Sequence, residues 1–281
     1  MALDHVVNLA VGILYAIAPA FLALIGAIVL EHVGPLERYS FKDRVSGLMM
    51  NGVGMALSFV LVMPFSELWR AIGIAPAVTI PLWDWLEPLG GGGAAIQFLV
   101  LIIIPDFLAY WRHRAEHVFF WPIHAVHHSP RELHAANSIG HPLQILFSLA
   151  FISIPMSLIQ MSGPAVPIAV GMIVGMLSYY IHSPIELNFG RFRRIIVDNR
   201  FHRIHHSLEE RHFDKNFGIC FSIWDFLFGT AYDPKDEWPS VGLADRLPPT
   251  NIREFLVHPF MKTDTGDSTQ PLEAVEAKGQ A

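Results

Sequence analysis

Uncharged blocks divide this chain before any motif does. Residues 6 to 30 and 45 to 66 carry no charged side chain, and each exceeds the roughly 20 apolar residues that a helix needs to cross a bilayer. A third block, from about 93 to 112, holds one charge inside it, Asp106, and a fourth, 142 to 181, runs 40 residues without a charge. That fourth block is broken at Ser162-Gly163-Pro164, so it predicts two spans joined in a tight hairpin. The apolar stretch 71 to 83 is too short to span and reads as an interfacial or re-entrant segment. The pattern predicts an all-α integral membrane bundle of four to five crossings, forming a single domain over residues 1–261. From about Lys262 the sequence is polar and aperiodic, which predicts a disordered tail over 262–281.

Composition adds sidedness. The mean hydropathy of +0.40 is too high for an ordinary soluble domain. The first block is too long for a signal peptide, and its start, MALDH, lacks a basic n-region, so it is expected to stay as a span. Lysine and arginine concentrate in segments 31 to 44 and 112 to 142 and beyond residue 183, where twelve of the nineteen lie. The positive-inside rule then puts the N-terminus outside and a helical cap, built from about 112 to 142 and 183 to 260, in the cytoplasm. Cys220 is the only cysteine, so no intrachain disulfide can form. Arg191, Arg193, Arg194, Arg200 and Arg203 form a basic cluster just after the last block; its plainest reading is the positive-inside bias, with anionic headgroups or a redox partner as alternatives. No Gly-rich phosphate loop is present, and no nucleic-acid partner is expected.

The chemistry lies in histidines. His113 and His117 stand at i, i+4 on the helical continuation of the third block, so both imidazoles share one face. His124, His127 and His128 form HxxHH, and His202, His205 and His206 repeat it. Random placement of the chain's fifteen histidines would give HxxHH roughly 0.04 times, against the two observed. In a helix the i and i+4 members share a face, while adjacent residues diverge by about 100°. One box can therefore serve two neighbouring ions. Eight imidazoles exceed what one four- to six-coordinate ion accepts, which argues for two metals, and imidazole alone leaves their identity open. His182 and His141 are the ninth and tenth candidates. Asp106 lies on the same helical face as His113 and His117, but about 10 Å from His113 along the axis. A carboxylate inside a span is costly and usually functional, so Asp106 is expected to hydrogen-bond a ligand from another box.

Two rival readings use fewer of these residues. His113 to His117 matches the HxxEH pattern of zinc proteases, with Glu116 as the water-activating base, but leaves both HxxHH boxes without a role. A non-enzymatic metal carrier would account for histidine-rich loops, yet such tracts are usually irregular, and no charged pathway crosses the spans.

From Asp106 to Tyr232 the chain resembles the membrane-bound fatty acid hydroxylase and sterol desaturase superfamily, through "DFLAYWRHRAEH", "WPIHAVHHSP", "HP" at 141, "YYIHSPIELNFG", "FHRIHHS", "DKNFG" and "WDFLFGT". The resemblance implies two iron ions held by the three boxes and His182, with His141 less certain, and O₂ as co-substrate. It implies hydroxylation of a membrane lipid (fatty acyl, sterol-like or polar-lipid), with desaturation at the same site as the alternative. The sequence carries no flavin or nicotinamide fingerprint, so electrons from NAD(P)H are expected through a separate ferredoxin or cytochrome b5-like donor with its reductase. The basic cluster 191 to 203 is the expected docking face, and a bacterial inner membrane the expected location. Asp198, Asp214, Asn216 and Asp225 flank the third box as candidates for fixing ligand orientation, with helix capping or turn formation an equal alternative for Asp214 and Asp225.

Overall fold

The computed structural model describes residue 18 and residues 20–138, 140–163 and 167–261. The start of the first apolar block and the polar tail from 262 lie outside the described residues. Helix α1 (Ala20–Leu30) is the described part of that first block. Helix α2 (Phe41–Ile72) begins at Ser40, whose hydroxyl accepts the Asp43 N–H at 3.1 Å, and ends at Gly73, whose φ of 67° only glycine adopts at little cost. After a short helix α3 (Leu82–Leu86), helix α4 (Gly91–Phe119) carries the third block and continues into the first histidine pair.

Helices α2 and α4, with 32 and 29 residues, are the two described helices long and apolar enough to cross a membrane. At 1.5 Å per residue each exceeds the roughly 30 Å hydrocarbon layer. Much of their apolar surface is left uncovered, including Met49, Val60, Leu68, Ile96 and Leu99, as expected where lipid rather than protein is the solvent. The fourth block is more broken than the sequence predicts. Its first arm is α6 (Gln144–Ser148), a π-helical turn over Leu149–Ser153 and α7 (Ile154–Ser157); its second is α8 (Pro167–Tyr180). Each arm has 14 residues and reaches only about 21 Å.

Between the arms, Ile159–Met161 pairs in parallel with Val78–Ile80, in the register Val78↔Ile159 to Ile80↔Met161. This small sheet is a departure from an all-α chain. Both segments leave a helix with unpaired backbone groups in apolar surroundings, and each satisfies the other's: the N–H groups of Ala77 and Val78 donate to Leu158, and that of Ser162 donates to Ile80. It also gives the 71 to 83 stretch its place, as the strand that closes this end of the bundle.

Beyond the apolar helices lie α5 (Trp121–His128), α9 (Asn199–His205), α10 (Ile223–Phe228) and α11 (Ile252–Val257). Buried Glu31, at the end of α1, accepts the Ala135 N–H at 2.7 Å and pairs with Arg44 of α2, tying both helices to the segment after α5. Gly47 of α2 fits that segment so closely that a Cβ would stand 2.8 Å from the Ala136 carbonyl oxygen. Arg203 of α9 forks onto Glu37 at 2.9 and 3.0 Å and lies over the Trp238 ring, fixing α9 to the loop that enters α2.

Candidate metal centre

Four elements converge on one point: the C-terminal turns of α4, all of α5, all of α9, and the turn that follows α8. They bring nine histidines into two adjoining groups, His113, His117, His124, His128 and His205 in one, and His127, His182, His202 and His206 in the other; within each group the nitrogens all lie within 4.8 Å of one another. The helix period sorts them. In α5 the i, i+4 pair His124 and His128 faces the first group and His127 the second; in α9 the pair His202 and His206 faces the second and His205 the first. The groups touch, with the His128 and His206 rings stacked at 4.4 Å between centroids.

Hydrogen bonds fix which nitrogen is free. His113 Nδ1–H donates to the Phe217 carbonyl at 2.8 Å, His205 Nδ1–H to Lys215 at 2.7 Å, and His182 Nδ1–H to Ser178 at 2.7 Å. His117 Nδ1–H donates to Asp214 Oδ1 at 3.1 Å, and His124 Nδ1 stands 2.9 Å from Glu116 Oε2 and 2.7 Å from the Gln144 amide nitrogen. His113, His117, His182 and His205 therefore each turn an Nε2 lone pair inward. His113 and His124 face each other through Nε2 at 3.0 Å; His202 stands 3.1 Å from His182 and 3.2 Å from His206 in the same way, and His127 stands 3.3 Å from His182.

Lone pairs at that range repel unless a cation lies between them. Burial first, and then the neighbouring imidazoles, hold His124, His127, His128, His202, His205 and His206 well below the usual imidazole pKa, and burial lowers His182 to about 4. Protons are thus a poor glue near neutrality. His117, His128 and His205 leave Nε2, and His202 and His206 leave Nδ1, buried without a hydrogen-bond partner. Two nitrogens bound about 2.1 Å from one ion at a right angle stand about 3 Å apart, so the donor set fits a metal in each group.

The expected supports are redistributed. Asp106 touches no histidine: its carboxylate accepts the N–H groups of Cys220 and Phe221 at 2.9 and 3.0 Å and the Trp224 indole at 2.9 Å. Its axial offset from the histidines places it beside the 217–224 segment, whose Phe217 carbonyl in turn orients His113. Asp225 accepts Phe217 N–H, Gly218 N–H and the Thr230 hydroxyl at 2.7 to 2.8 Å, clamping the other end of that segment, and burial pushes its carboxyl up to about 6. Gly218 has no room for a side chain there, since a Cβ would come within 2.6 Å of the Phe221 carbonyl oxygen. Asp214 and Asn216 hold left-handed backbone angles, φ 56° and 59°, which turn the intervening Lys215 carbonyl toward His205. Asp198 caps α9 through the Phe201 N–H rather than holding a histidine.

Sequence reasoning missed Glu116 as a support, because HxxEH reads as a hydrolytic pattern. The residue is fully buried, with one oxygen on Arg112 at 3.0 Å and the other shared by His124 and Gln144. Both of its oxygens are thus engaged by neighbouring side chains. His141 lies outside both groups: its Nε2 donates to the Leu256 carbonyl at 3.1 Å and its Nδ1 accepts the Leu143 N–H at 3.2 Å. His134 and His212 are buried away from the groups, His212 between Ser207 and Glu237.

Three cavities adjoin the groups. A polar chamber of about 210 Å³ is lined by histidines of both, with Arg112, Gln144 and Ser178. An apolar cavity of about 730 Å³ runs between α4 and α8 past Leu101, Pro105, Ala109 and Val174, and shares Arg112, Ser178 and Ile219 with the chamber. A third, of about 410 Å³, reaches His117, His128 and His205 from the other side, beside Trp121 and Asp214.

These features define a helical protein with paired imidazole groups at the end of membrane-length helices. Residues 98–230 match the model of the fatty acid hydroxylase family. It is 31% identical over 174 residues to the ornithine lipid hydroxylase OlsE of Rhizobium tropici, covering 60% of this chain and 51% of that protein. It is 32% identical over 143 residues to alkylglycerol monooxygenase of Homo sapiens, covering 50% of this chain and 31% of that one. Methylsterol monooxygenase 2-2 of Arabidopsis thaliana is 25% identical over 227 residues, 75% of this chain and 80% of the relative. The chain thus spans about half or less of the first two relatives. No solved structure matches.

Proposed function

We propose that this protein hydroxylates a membrane lipid on an alkyl or acyl chain, using two iron ions held by His113, His117, His124, His128 and His205 in one group and by His127, His182, His202 and His206 in the other. The observation that carries the reading is the apolar cavity between α4 and α8, which meets the histidine chamber at Arg112, Ser178 and Ile219. A lipid tail can lie in it without leaving apolar surroundings, with its inner end beside the histidine-lined chamber. The cavity's 730 Å³ lies within the roughly 300–1,000 Å³ of small-molecule sites. The named activities of the relatives, on an ornithine lipid, an alkylglycerol and a methylsterol, favour lipid monooxygenation over metal carriage.

When bound, the irons supply O₂ activation. The reaction converts a C–H bond and O₂ into an alcohol and water, consuming two electrons and two protons. The protein's own part is to bind and orient: Glu116 orients His124, Asp214 fixes the tautomer of His117, and the carbonyls of Phe217, Lys215 and Ser178 fix those of His113, His205 and His182. Electrons come from a separate ferredoxin or cytochrome b5-like donor. Both histidine groups lie on the cytoplasmic side of a bacterial inner membrane, which α2, α4 and the apolar segments around them cross four or five times.

Lipid mass spectrometry of cells expressing the chain under ¹⁸O₂, with His127→Ala as control, tests this reading. A lipid gaining one labelled oxygen only with the parent chain is the expected result. A lipid lighter by two hydrogens would replace hydroxylation with desaturation. An unchanged lipid profile, with iron bound and an electron donor shown to reduce it, would refute the reading.

A further inference from the structure

A fourth cavity is lined by none of the histidines. About 590 Å³ in volume, it is lined by Arg191, Arg193, Arg194, Arg200 and Lys235 against a single carboxylate, Asp233. Arg193 and Arg194 share that carboxylate, so its charge is already spent. Arg191 and Lys235 have no carboxylate partner among the described residues, and Arg200 leaves its Nε buried with no hydrogen bond. So many guanidinium groups around one cleft leave a strong local positive field and unfilled donors. They match the tetrahedral oxygens of a phosphate.

The rim says where the phosphate comes from. Leu187, Phe192 and Ile195, on the same segment, are 57%, 70% and 49% exposed, and Arg194 lies 6.0 Å from the ring of Phe226 on α10, whose neighbour Leu227 is 68% exposed. Helix α10 packs directly on the membrane-length helix α4: Trp224 meets Phe107 at 5.0 Å and Phe228 meets Trp111 at 5.0 Å. This apolar rim is therefore continuous with the surface of a helix long enough to cross the bilayer. Cations beside exposed aromatic and aliphatic side chains suit the headgroup layer; a water-soluble acidic partner would need none of the apolar rim.

We propose that the cleft bounded by Arg191, Arg200 and Lys235 binds the phosphate of an anionic phospholipid, at a site separate from the histidine centre. The site holds the cap at a set depth against the bilayer. It does not depend on what the metal groups do.

Native mass spectrometry of the full chain in detergent, titrated with phosphatidylglycerol and with phosphatidylcholine of the same acyl composition, tests the proposal. Phosphatidylglycerol should be retained at about tenfold lower concentration. The combined variant Arg191→Gln, Arg200→Gln, Lys235→Gln should lose that preference, while Arg253→Gln on α11 and His202→Ala in the metal centre keep it. Should the combined variant fail to fold, Arg191→Gln alone, at an exposed position, should still reduce it measurably. Preference unchanged in these variants overturns the proposal. So does its loss in His202→Ala, which would put the retained lipid in the substrate cavity. Displacement of phosphatidylglycerol by millimolar inorganic phosphate would make the cleft a free-anion site. Unchanged lipid retention with weakened binding of an acidic electron donor would assign it to a protein partner instead.

Discussion

The two histidine groups draw on the same boxes and yet have different surroundings. The five-histidine group has two carboxylates on its outer nitrogens, Glu116 through His124 and Asp214 through His117, and it faces both the polar chamber and the cavity beside Trp121. In the four-histidine group only His182 shows an outer hydrogen bond, to a neutral carbonyl, while His202 and His206 have a buried nitrogen with no partner. Carboxylates beside ligating imidazoles raise their basicity. One group thus has carboxylates beside its outer nitrogens and a second cavity, and the other adjoins the polar chamber alone.

Removing ligands gives the largest effect. His202→Ala with His206→Ala should abolish lipid oxidation and lower bound iron to about half that of the parent chain, measured by elemental analysis; full iron content would show that the four-histidine group holds none. Partial chelation of the parent chain should empty the four-histidine group first, because it lacks carboxylate support.

Acid comes next. The clustered histidines have folded-state pKa values below the unfolded value of 6.5, so below that pH the unfolded chain takes up protons that the fold refuses. Stability is then full above about pH 6.5 and falls as pH drops; for His182 the loss ends near its folded value of about 4. Thermal unfolding of metal-free protein at pH 7.5 and 5.5 should show the lower midpoint at 5.5, and equal midpoints would contradict the neutral, buried imidazoles.

Glu116→Gln should weaken metal binding by about 10- to 100-fold, since it removes the charge from a fully buried ligand support. Asp214→Asn should do far less, about 0.5 kcal/mol, because the Asp214 carboxylate is 73% exposed and screened by water. Competition titration with a chromogenic chelator compares the two; equal losses would remove the distinction between buried and exposed support.

Much of the centre could be read in one dimension because helical spacing is a local property. The boxes at His113/His117, His124/His127/His128 and His202/His205/His206 lie on three continuous helices, and the 3.6-residue period alone divides each HxxHH between two faces. The long apolar blocks that became α2 and α4 were legible for the same reason, while the broken fourth block was not: its strand pairs with residues 78–80, some eighty positions away.

The spacing of the histidines along the chain is enough to sort them onto two faces, through periodicity. Tertiary structure alone decided what surrounds them. It turned Asp106 to the backbone of Cys220 and Phe221, made Glu116 the partner of His124, and engaged both ring nitrogens of His141 with backbone groups. It also drew Arg191 and Lys235, 44 positions apart in the chain, into one cleft. A hydrogen bond between distant residues depends on where two helices cross, and no local pattern encodes that crossing.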